Sequence, residues 1–361
     1  MITTSGEMGV ALTTPCGQID DEFETIYAET TEHLKSIALT GNIIFSTGLN
    51  VHADKLVERK TSVLELSRLQ SNFQLNVKNI IKELVGTPQI IQTDFHNWAH
   101  TQYEKRIWAA HPRNLEEIQR LVKACNKYEV KIRCVGAGHS WAPIFPDYDS
   151  IFVYMDQLDI KPNIKFSDSK KETVDIFPGA TSGDFKKFQL DNKVNLPCNV
   201  ILDNVQMVSV VATGCHGVGK ECFTPGDYVE KMQIVNSSGD LVTYTKAEDE
   251  DMMKAVSASF GLFGIIYEMT IRVERQATVE TKNMYLPVKD YFYTNASALK
   301  KLVNDNWSVE LFWFPFGSTD ILGNYDVMKE EIYARVINKK EESNLHTKDD
   351  IFYEIQNKKD E

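Results

Sequence analysis

Three glycine-rich segments carry the residue types best suited to hold a phosphate-bearing ligand. The first, GAGHSW, runs from Gly136 to Trp141 and follows a predicted strand at 130–135. Its glycines lack side chains, so backbone N–H groups can approach a pyrophosphate, and the loop presents the imidazole of His139 beside them. Trp replaces the third glycine of a dinucleotide fingerprint, and PIFPDYD follows where a helix should begin. These departures argue against a nicotinamide-binding Rossmann site, and an ordinary turn explains the isolated segment as well.

The second segment, GCHGVGK, matches the GxxxxGK spacing of a phosphate loop from Gly214 to Lys220 and follows the apolar run VSVVAT. Its next residue is Glu221, where a P-loop needs Ser or Thr to hold Mg²⁺. A carboxylate there would repel phosphate. The only strand resembling a Walker B element ends at Asp156 and precedes the segment. A nucleoside triphosphatase is therefore kept as the weaker alternative.

Two further patterns have plain structural explanations. Cys215, His216 and Cys222 could suggest a metal, but they lack a fourth ligand and a paired spacing. A buried thiol and a hydrogen-bonded histidine in a tight turn explain them better. The third glycine segment, SFGLFG, ends at Gly264 before a long alternating strand and by itself indicates a turn with a packed Phe263.

Alternating helix and strand patterns after residue 108 indicate the elements that position these loops. A helix is predicted from Pro112, because apolar residues from Leu115 to Cys125 recur at spacings of three and four. A second helix is predicted over 181–190 with Thr181 or Ser182 as its cap, and a hairpin over 229–245 across NSSGD. The other predicted elements are a helix near 295–304 and strands at 130–135, 150–155, 173–177, 264–273 and 308–316.

Composition excludes several classes of protein. A chain of 361 residues exceeds one compact core and predicts about two domains. The formal net charge of -12 repels nucleic-acid phosphates, so no nucleic-acid partner is expected. Six scattered cysteines predict reduced thiols and an intracellular protein. No run reaches the roughly 18 apolar residues of a membrane span.

Four segments, taken in order, resemble the FAD-binding domain of the vanillyl-alcohol-oxidase flavoproteins. They are HPRNLEEIQRLVKACNKYEVKIRCVGAGHSWAP, FPGATSGDFKKF, ATGCHGVG and SASFGLFGIIYEMTIRV. Within that family they are most similar to the aldonolactone oxidoreductases, such as gulonolactone and arabinonolactone oxidases. SVELFWFPF, followed by Thr319 and Asp320, also resembles the strand that opens the family's substrate domain.

The resemblance implies a fold and a division of the chain. The fold is α+β, a two-subdomain PCMH-type FAD-binding fold with a helical N-terminal extension and a partial substrate (cap) domain. The implied domains are the helical extension over residues 1–95, the FAD-binding domain over 96–274, and the start of the substrate domain over 275–361.

The resemblance also implies FAD as cofactor and assigns residues to it. His139 occupies the position at which many members carry the flavin covalently. Val200 matches a position that is small in the family's oxidases, which predicts slow access of dioxygen. The implied flavin contacts are the pyrophosphate loop Gly136, Ala137, Gly138, His139 and Ser140; the second face Ala212, Thr213, Gly214, Cys215, His216 and Gly217; and the adenine end Gly264, Ile265 and Ile266.

The implied reaction is oxidation of a secondary alcohol on a sugar-1,4-lactone, with dioxygen or another acceptor. The family's substrate domain is longer than the segment after Val273, and its C-terminal acidic, Arg, Lys and HW groups have no counterpart here. The chain is therefore expected to be C-terminally incomplete and weakly active. Glu310, the only carboxylate in the first strand of that domain, is a weak candidate for the base. A non-catalytic flavin-binding remnant is the alternative. Peripheral membrane association, the specific lactone and the oligomeric state stay open.

Overall fold

The computed structural model describes residues 63–145, 149–220, 222–294, 296–315, 317–319 and 322–340. These residues belong to two compact units. The large unit contains the described residues of 63–217 and 224–277, and the small unit contains those of 218–223 and 278–340. Most of the predicted helical extension, the charged tail from residue 341, Glu221 and Asp320 lie outside the described residues.

The large unit begins with a helix and a four-stranded sheet. Within the predicted helical extension, residues 63–84 are helical, whereas residues 89–96 form a strand. The sheet order is β1-β2-β4-β3, and β4 runs parallel to both neighbours. The elements are α1 (Val63–Leu84), β1 (Gln89–His96), β2 (Tyr103–His111), α2 (Leu115–Lys127), β3 (Lys131–Val135) and β4 (Ser150–Tyr154).

Helix α2 has a cap that explains where it begins. The Asn114 side chain accepts the backbone N–H of Glu117 at 2.9 Å, so the helix starts at Leu115 and the prediction of a start at Pro112 was wrong. Its predicted apolar face is confirmed. Ile118 and Leu121 are fully buried against α1 and β4, in a core that includes Val77, Ile80, Ile151 and Val153.

A five-stranded antiparallel sheet forms the second half of the large unit. Its order is β5-β6-β10-β8-β9, so β10, the last of these strands in the chain, lies in the middle. The predicted hairpin over 229–245 is confirmed. The elements are β5 (Ile164–Phe166), β6 (Thr173–Ile176), α3 (Ser182–Asn192), β7 (Val194–Asn195), α4 (Met207–Ala212), a 3₁₀ turn (Pro225–Tyr228), β8 (Val229–Val235), β9 (Leu241–Thr245), α5 (Glu250–Ser257), β10 (Ile265–Arg272) and β11 (Glu274–Arg275).

The small unit is a three-stranded antiparallel sheet with order β12-β14-β13. The strand predicted at 308–316 ends earlier, at Phe312. Glu310 pairs in register with Arg335, and their side chains form a largely buried ion pair at 3.6 Å. That contact gives Glu310 a structural role in the sheet. The elements are β12 (Thr278–Pro287), a π-helical turn (Lys289–Thr294), α6 (Ala296–Asp305), β13 (Ser308–Phe312), a 3₁₀ turn (Val327–Lys329) and β14 (Glu331–Lys340).

Candidate functional site

The GAGHS loop is fixed to the β1–β2 turn by one buried amide. Asn97 is fully buried, and its side-chain oxygen accepts the backbone N–H groups of Thr101 at 2.9 Å and Gln102 at 3.0 Å. Its side-chain nitrogen donates to Thr101 Oγ1 at 2.9 Å and to the Ser140 carbonyl oxygen at 3.1 Å. A fully bonded buried amide holds turn and loop in one arrangement. No sequence motif marks this residue, because a lone Asn belongs to no recognisable pattern.

Replacing Asn97 with Ala should therefore lower the free energy of unfolding by about 3 kcal/mol, since three backbone groups lose their hydrogen bonds to a buried side chain. Urea unfolding of the full chain measures this loss as a lower midpoint concentration, with the slope of the unfolding free energy against urea concentration unchanged. The matched control is Asn192→Ala, because Asn192 is exposed and its side chain donates to the Phe188 carbonyl of its own helix. Equal midpoints for the two variants would contradict the anchoring role of Asn97.

The tip of the GAGHS loop meets the same turn. The Trp98 backbone N–H donates to the Gly138 carbonyl oxygen at 2.8 Å, and Gly138 has a φ of +71°, which favours glycine. The Trp98 indole stacks on the His139 imidazole, with ring centroids 5.2 Å apart and planes 18° apart. The turn thus contributes an aromatic ring to the face of the imidazole singled out in the sequence.

The base of the loop lies against the first turn of α4. A Cβ added to Gly136 would lie 2.7 Å from Ser209 Oγ and 2.9 Å from Gln206 Oε1, so any larger residue at this position would force these two side chains to move. Gln206 Oε1 is buried and has no hydrogen-bond partner among the described residues. The glycine at position 136 and the unsatisfied buried acceptor Gln206 Oε1 therefore lie next to each other.

Two opposing influences act on the pKa of His139. Partial burial lowers the pKa of His139 below its usual value of 6.5, because the charged ring loses water, and the Asn204 contact opposes that shift. The lowered pKa keeps the ring neutral at pH 7, and a neutral imidazole retains one nitrogen lone pair.

The segment after β7 joins the site through Gln189, which is buried. Gln189 Nε2 donates to Asn199 Oδ1 at 2.9 Å, and its Oε1 accepts the Leu196 N–H at 2.6 Å. A Cβ on Gly217 would lie 2.6 Å from the Asn199 carbonyl oxygen. Val200 follows this anchor and is half-buried. The structure therefore brings the GCHG segment and the Val200 segment together, while the effect of Val200 on dioxygen stays a prediction.

The GCHGVGK segment follows a helix, whereas a phosphate loop follows a strand and precedes a helix. VSVVAT lies in helix α4, which ends in a Schellman motif: the Gly214 N–H donates to Val211 O and the Cys215 N–H to Val210 O, each at 3.0 Å. Gly214 has a φ of +65°, as that motif requires. The described residues between Cys215 and Thr224 contain no helix. A P-loop joins a strand to a helix, so this geometry does not support the triphosphatase alternative.

The remaining candidates in this segment have ordinary surroundings. Cys215 is exposed, with Sγ 3.3 Å from Thr213 Oγ1, and His216 Nδ1 lies 3.1 Å from the Gly217 carbonyl oxygen. Among the residues that the structure describes, no three His, Cys, Asp or Glu side chains converge on a metal site. The same residues include no helix that is both long and apolar enough to cross a bilayer.

The SFGLFG segment contacts the end of α4. The Phe260 N–H donates to the Ala212 carbonyl oxygen at 2.8 Å. Gly264 has a φ of +134°, and a Cβ there would clash with the Val235 carbonyl oxygen. Ile265 and Ile266 follow as buried residues of β10. Their side chains are part of the core, so only the backbone at this position is available to a ligand.

Comparison with known proteins places this site in a familiar fold. Residues 108–245 match the family model of an FAD binding domain. The chain is 23% identical to the D-arabinono-1,4-lactone oxidase of Candida albicans over 62% of this chain and 42% of that protein. It is 22% identical to the L-gulonolactone oxidase of Scyliorhinus torazame over 49% of this chain and 40% of that protein. The chain thus spans less than half the length of these curated relatives.

Solved structures support the fold. Cholesterol oxidase from Brevibacterium sterolicum aligns with a TM-score of 0.59 at 15% identity, over 70% of this chain and 50% of that one. A solvent-stable cholesterol oxidase aligns with a TM-score of 0.56 at 17% identity, over 70% of this chain and 48% of that one. At these identities the likeness concerns the fold alone.

Proposed function

We propose that the chain is a PCMH-type FAD-binding flavoprotein of the vanillyl-alcohol-oxidase family and that it oxidises a sugar-1,4-lactone. The FAD-binding fold expected from the sequence is confirmed, and the match to an FAD binding domain supports an FAD-dependent oxidoreductase. The assignment of a sugar lactone as the substrate is supported by lactone oxidases that are 22–23% identical to this chain. Dioxygen or another acceptor would reoxidise the enzyme.

The residues of the site fit FAD. A Cβ on Gly217 would clash with the backbone of Asn199, and Gly136 lies against the side chains of Ser209 and Gln206. Because neither glycine has a side chain, backbone groups there can approach the cofactor closely. Gln206 Oε1 is buried and has no hydrogen-bond partner among the described residues, so it can accept a hydrogen bond from a ligand. When bound, FAD supplies a two-electron acceptor for the hydride of the alcohol carbon. We assign the pyrophosphate to Gly136–Ser140, the second face of the cofactor to Ala212–Gly217, and the adenine end to the backbone of Gly264–Ile266.

We further propose His139 as a covalent attachment point for the flavin. Its ring is half-buried, neutral at pH 7 and stacked on the Trp98 indole. A neutral, oriented imidazole has what a nitrogen nucleophile needs. The lactone itself needs a base and orienting groups, and no described residue is assigned to either role.

One observation carries the proposal: in the large unit, three motifs from distant parts of the chain, GAGHS, FPGATSG and SFGLFG, contact the short helix α4, and the fourth, GCHG, continues from its end. The test is a visible spectrum of the purified full chain, followed by anaerobic addition of D-arabinono-, L-gulono- or L-galactono-1,4-lactone. We expect a flavin spectrum that one of these lactones bleaches slowly, because no described residue is assigned as the base, and that the corresponding open-chain aldonate leaves unchanged. A flavin spectrum that no lactone bleaches would favour the non-catalytic alternative. Absence of flavin binding would contradict the proposal.

A further inference from the structure

The GCHGVGK segment passes from the large unit into the small unit within a few residues. Gly217 is its last residue in the large unit, where a Cβ would clash with the Asn199 carbonyl oxygen. The residues Val218–Phe223 belong to the small unit. A single residue separates Gly217 from Gly219, and two peptide steps span at most about 7 Å. The contacts that hold Gly219 therefore limit where Gly217 can lie.

Gly219 lies directly against the indole of Trp307. A Cβ at Gly219 would lie 2.5 Å from Trp307 Cζ2 and 2.9 Å from Cε2 and Cη2, closer than non-bonded carbon atoms approach one another. The φ of Gly219, +120°, also favours glycine. The Lys220 N–H donates to the Trp307 carbonyl oxygen at 2.7 Å. The ring and the carbonyl group of one residue thus hold two consecutive residues of the segment.

Trp307 is itself fixed by strand β14. It immediately precedes β13, and its backbone N–H donates to Asn338 Oδ1 of β14 at 2.9 Å. Asn338 Nδ2 in turn donates to Asn306 Oδ1 at 2.7 Å, and the Lys339 ammonium lies 5.3 Å from the centre of the indole. The indole N–H is buried and has no hydrogen-bond partner among the described residues. The ring is therefore held by packing and not by a hydrogen bond of its own.

Lys220, the lysine of the GxxxxGK spacing, also contacts the small unit. Its ammonium donates to the Asn304 carbonyl oxygen at 2.5 Å, in the last turn of α6. A cation is stabilised there, because the last carbonyl groups of a helix lack partners and carry the negative end of the helix dipole. The lysine that resembles a phosphate-loop lysine therefore binds the segment to α6.

We propose that Trp307 is a positioning residue for the GCHG segment, which it holds through Gly219 and Lys220. The other end of the segment is fixed in the large unit, where carbonyl groups at the end of α4 accept two of its N–H groups. A backbone held at both ends is restricted in the conformations it can adopt between them. The inference rests on the proposed assignment of Ala212–Gly217 to the second face of the flavin.

The test separates the hold on the segment from the stability of the small unit. Trp307→Ala removes the ring, whereas Gly219→Ala pushes the segment away from a ring that stays in place. Leu286→Ala is the matched control, because Leu286 is buried in the small unit but pairs with Ile332, at the end of β14 that lies away from Trp307. Each full-length variant is made in a His139→Ala background, so that FAD binding is reversible.

Two quantities are measured for each variant. Hydrogen exchange of the backbone amides over residues 212–220 is followed without flavin, and the FAD dissociation constant is measured by fluorescence titration. Trp307→Ala and Gly219→Ala should each raise the exchange rate and the dissociation constant about tenfold, the factor expected when one hydrogen bond such as that from Lys220 is lost. The two changes combined should be no worse than Gly219→Ala alone, because the methyl group has room once the indole is gone. Leu286→Ala should lower the urea midpoint and change neither quantity.

Three results would overturn the assignment. The first is an exchange rate or an FAD dissociation constant that stays unchanged in either Trp307→Ala or Gly219→Ala. The second is an equal change in Leu286→Ala, because lost stability of the small unit would then be the cause. The third is additive effects of Trp307→Ala and Gly219→Ala, because two residues that act through one contact should not add.

Two further outcomes are covered by the same variants. If Trp307→Ala fails to fold, Gly219→Ala decides, since it leaves every side chain in the core of the small unit in place. If the parent chain binds no FAD, the proposed function fails, while the exchange rates still decide whether Trp307 holds the segment.

Discussion

Replacing His139 with Ala should release all flavin from the denatured protein. In the unmodified chain, acid precipitation should leave the yellow colour in the pellet, because a bond between an imidazole nitrogen and carbon survives unfolding. In His139→Ala the colour should move to the supernatant, although the glycine cradles still bind FAD. His100→Ala is the control, because His100 lies in the neighbouring turn, stacked on His96 at 4.3 Å. Flavin in the supernatant of the unmodified chain would exclude a covalent bond.

The pH dependence of attachment follows from the environment of the ring. Partial burial lowers the pKa of His139, so the neutral form persists to a pH below the usual 6.5. Only the neutral ring has a lone pair to bond carbon. The rate of acid-stable incorporation should therefore fall to half of its value at about pH 8 only at a pH below 6.5. A rate that already halves above pH 6.5 would show that the ring is not protected from protonation.

Replacing Gly264 with Ala should lower the free energy of unfolding by at least about 3 kcal/mol. Two causes act together. The φ of +134° lies in a region that side chains disfavour, and the new Cβ would clash with the Val235 carbonyl oxygen in the adjacent strand β8. The backbone cannot move away, because Ile265 is paired with Val235 in the sheet. Urea unfolding of the full chain gives the value.

Gly86→Ala separates those two causes. Gly86 also has a positive φ, +82°, but a Cβ there would meet no atom within 4 Å. Its replacement should therefore cost only the conformational strain, about 1 kcal/mol. If Gly264→Ala and Gly86→Ala shift the urea midpoint equally, the contact with Val235 does not explain why glycine is needed at 264.

Residue spacing and turn motifs correctly predicted the helices and hairpins that form between neighbouring residues of the chain. Spacings of three and four gave helix α2, and NSSGD gave the β8–β9 hairpin, because a turn and two alternating strands are all that a hairpin requires. The strand before GAGHS was also predicted within one residue. The family resemblance, which depends on the order of four motifs, anticipated the FAD-binding domain.

Other elements depend on contacts that a sequence does not display. VSVVAT has the β-branched residues of a strand, yet Val208, Val210 and Val211 lie buried in helix α4, where tertiary packing outweighs propensity. β14 was missed because EIYARVINKK is rich in charge, although alternate residues Ile332, Ala334 and Val336 are buried. Asn97 was missed because it works through a single side chain that contacts a distant loop, and no local pattern displays such a contact.

The central position of β10 has a consequence for how the protein is made. β6 is complete at Ile176, but its partner in the sheet, β10, ends only at Arg272. Because β10 also lies between β6 and β8, the nascent chain cannot close this sheet until almost the whole large unit has left the ribosome. Pairing over such a distance is slow, since the loop must be closed before the contacts can compensate for it. Until then β6 and β8 each expose an edge of unpaired backbone N–H and C=O groups that can pair with another chain. A chaperone that binds the nascent chain at this stage of synthesis would prevent such aggregation.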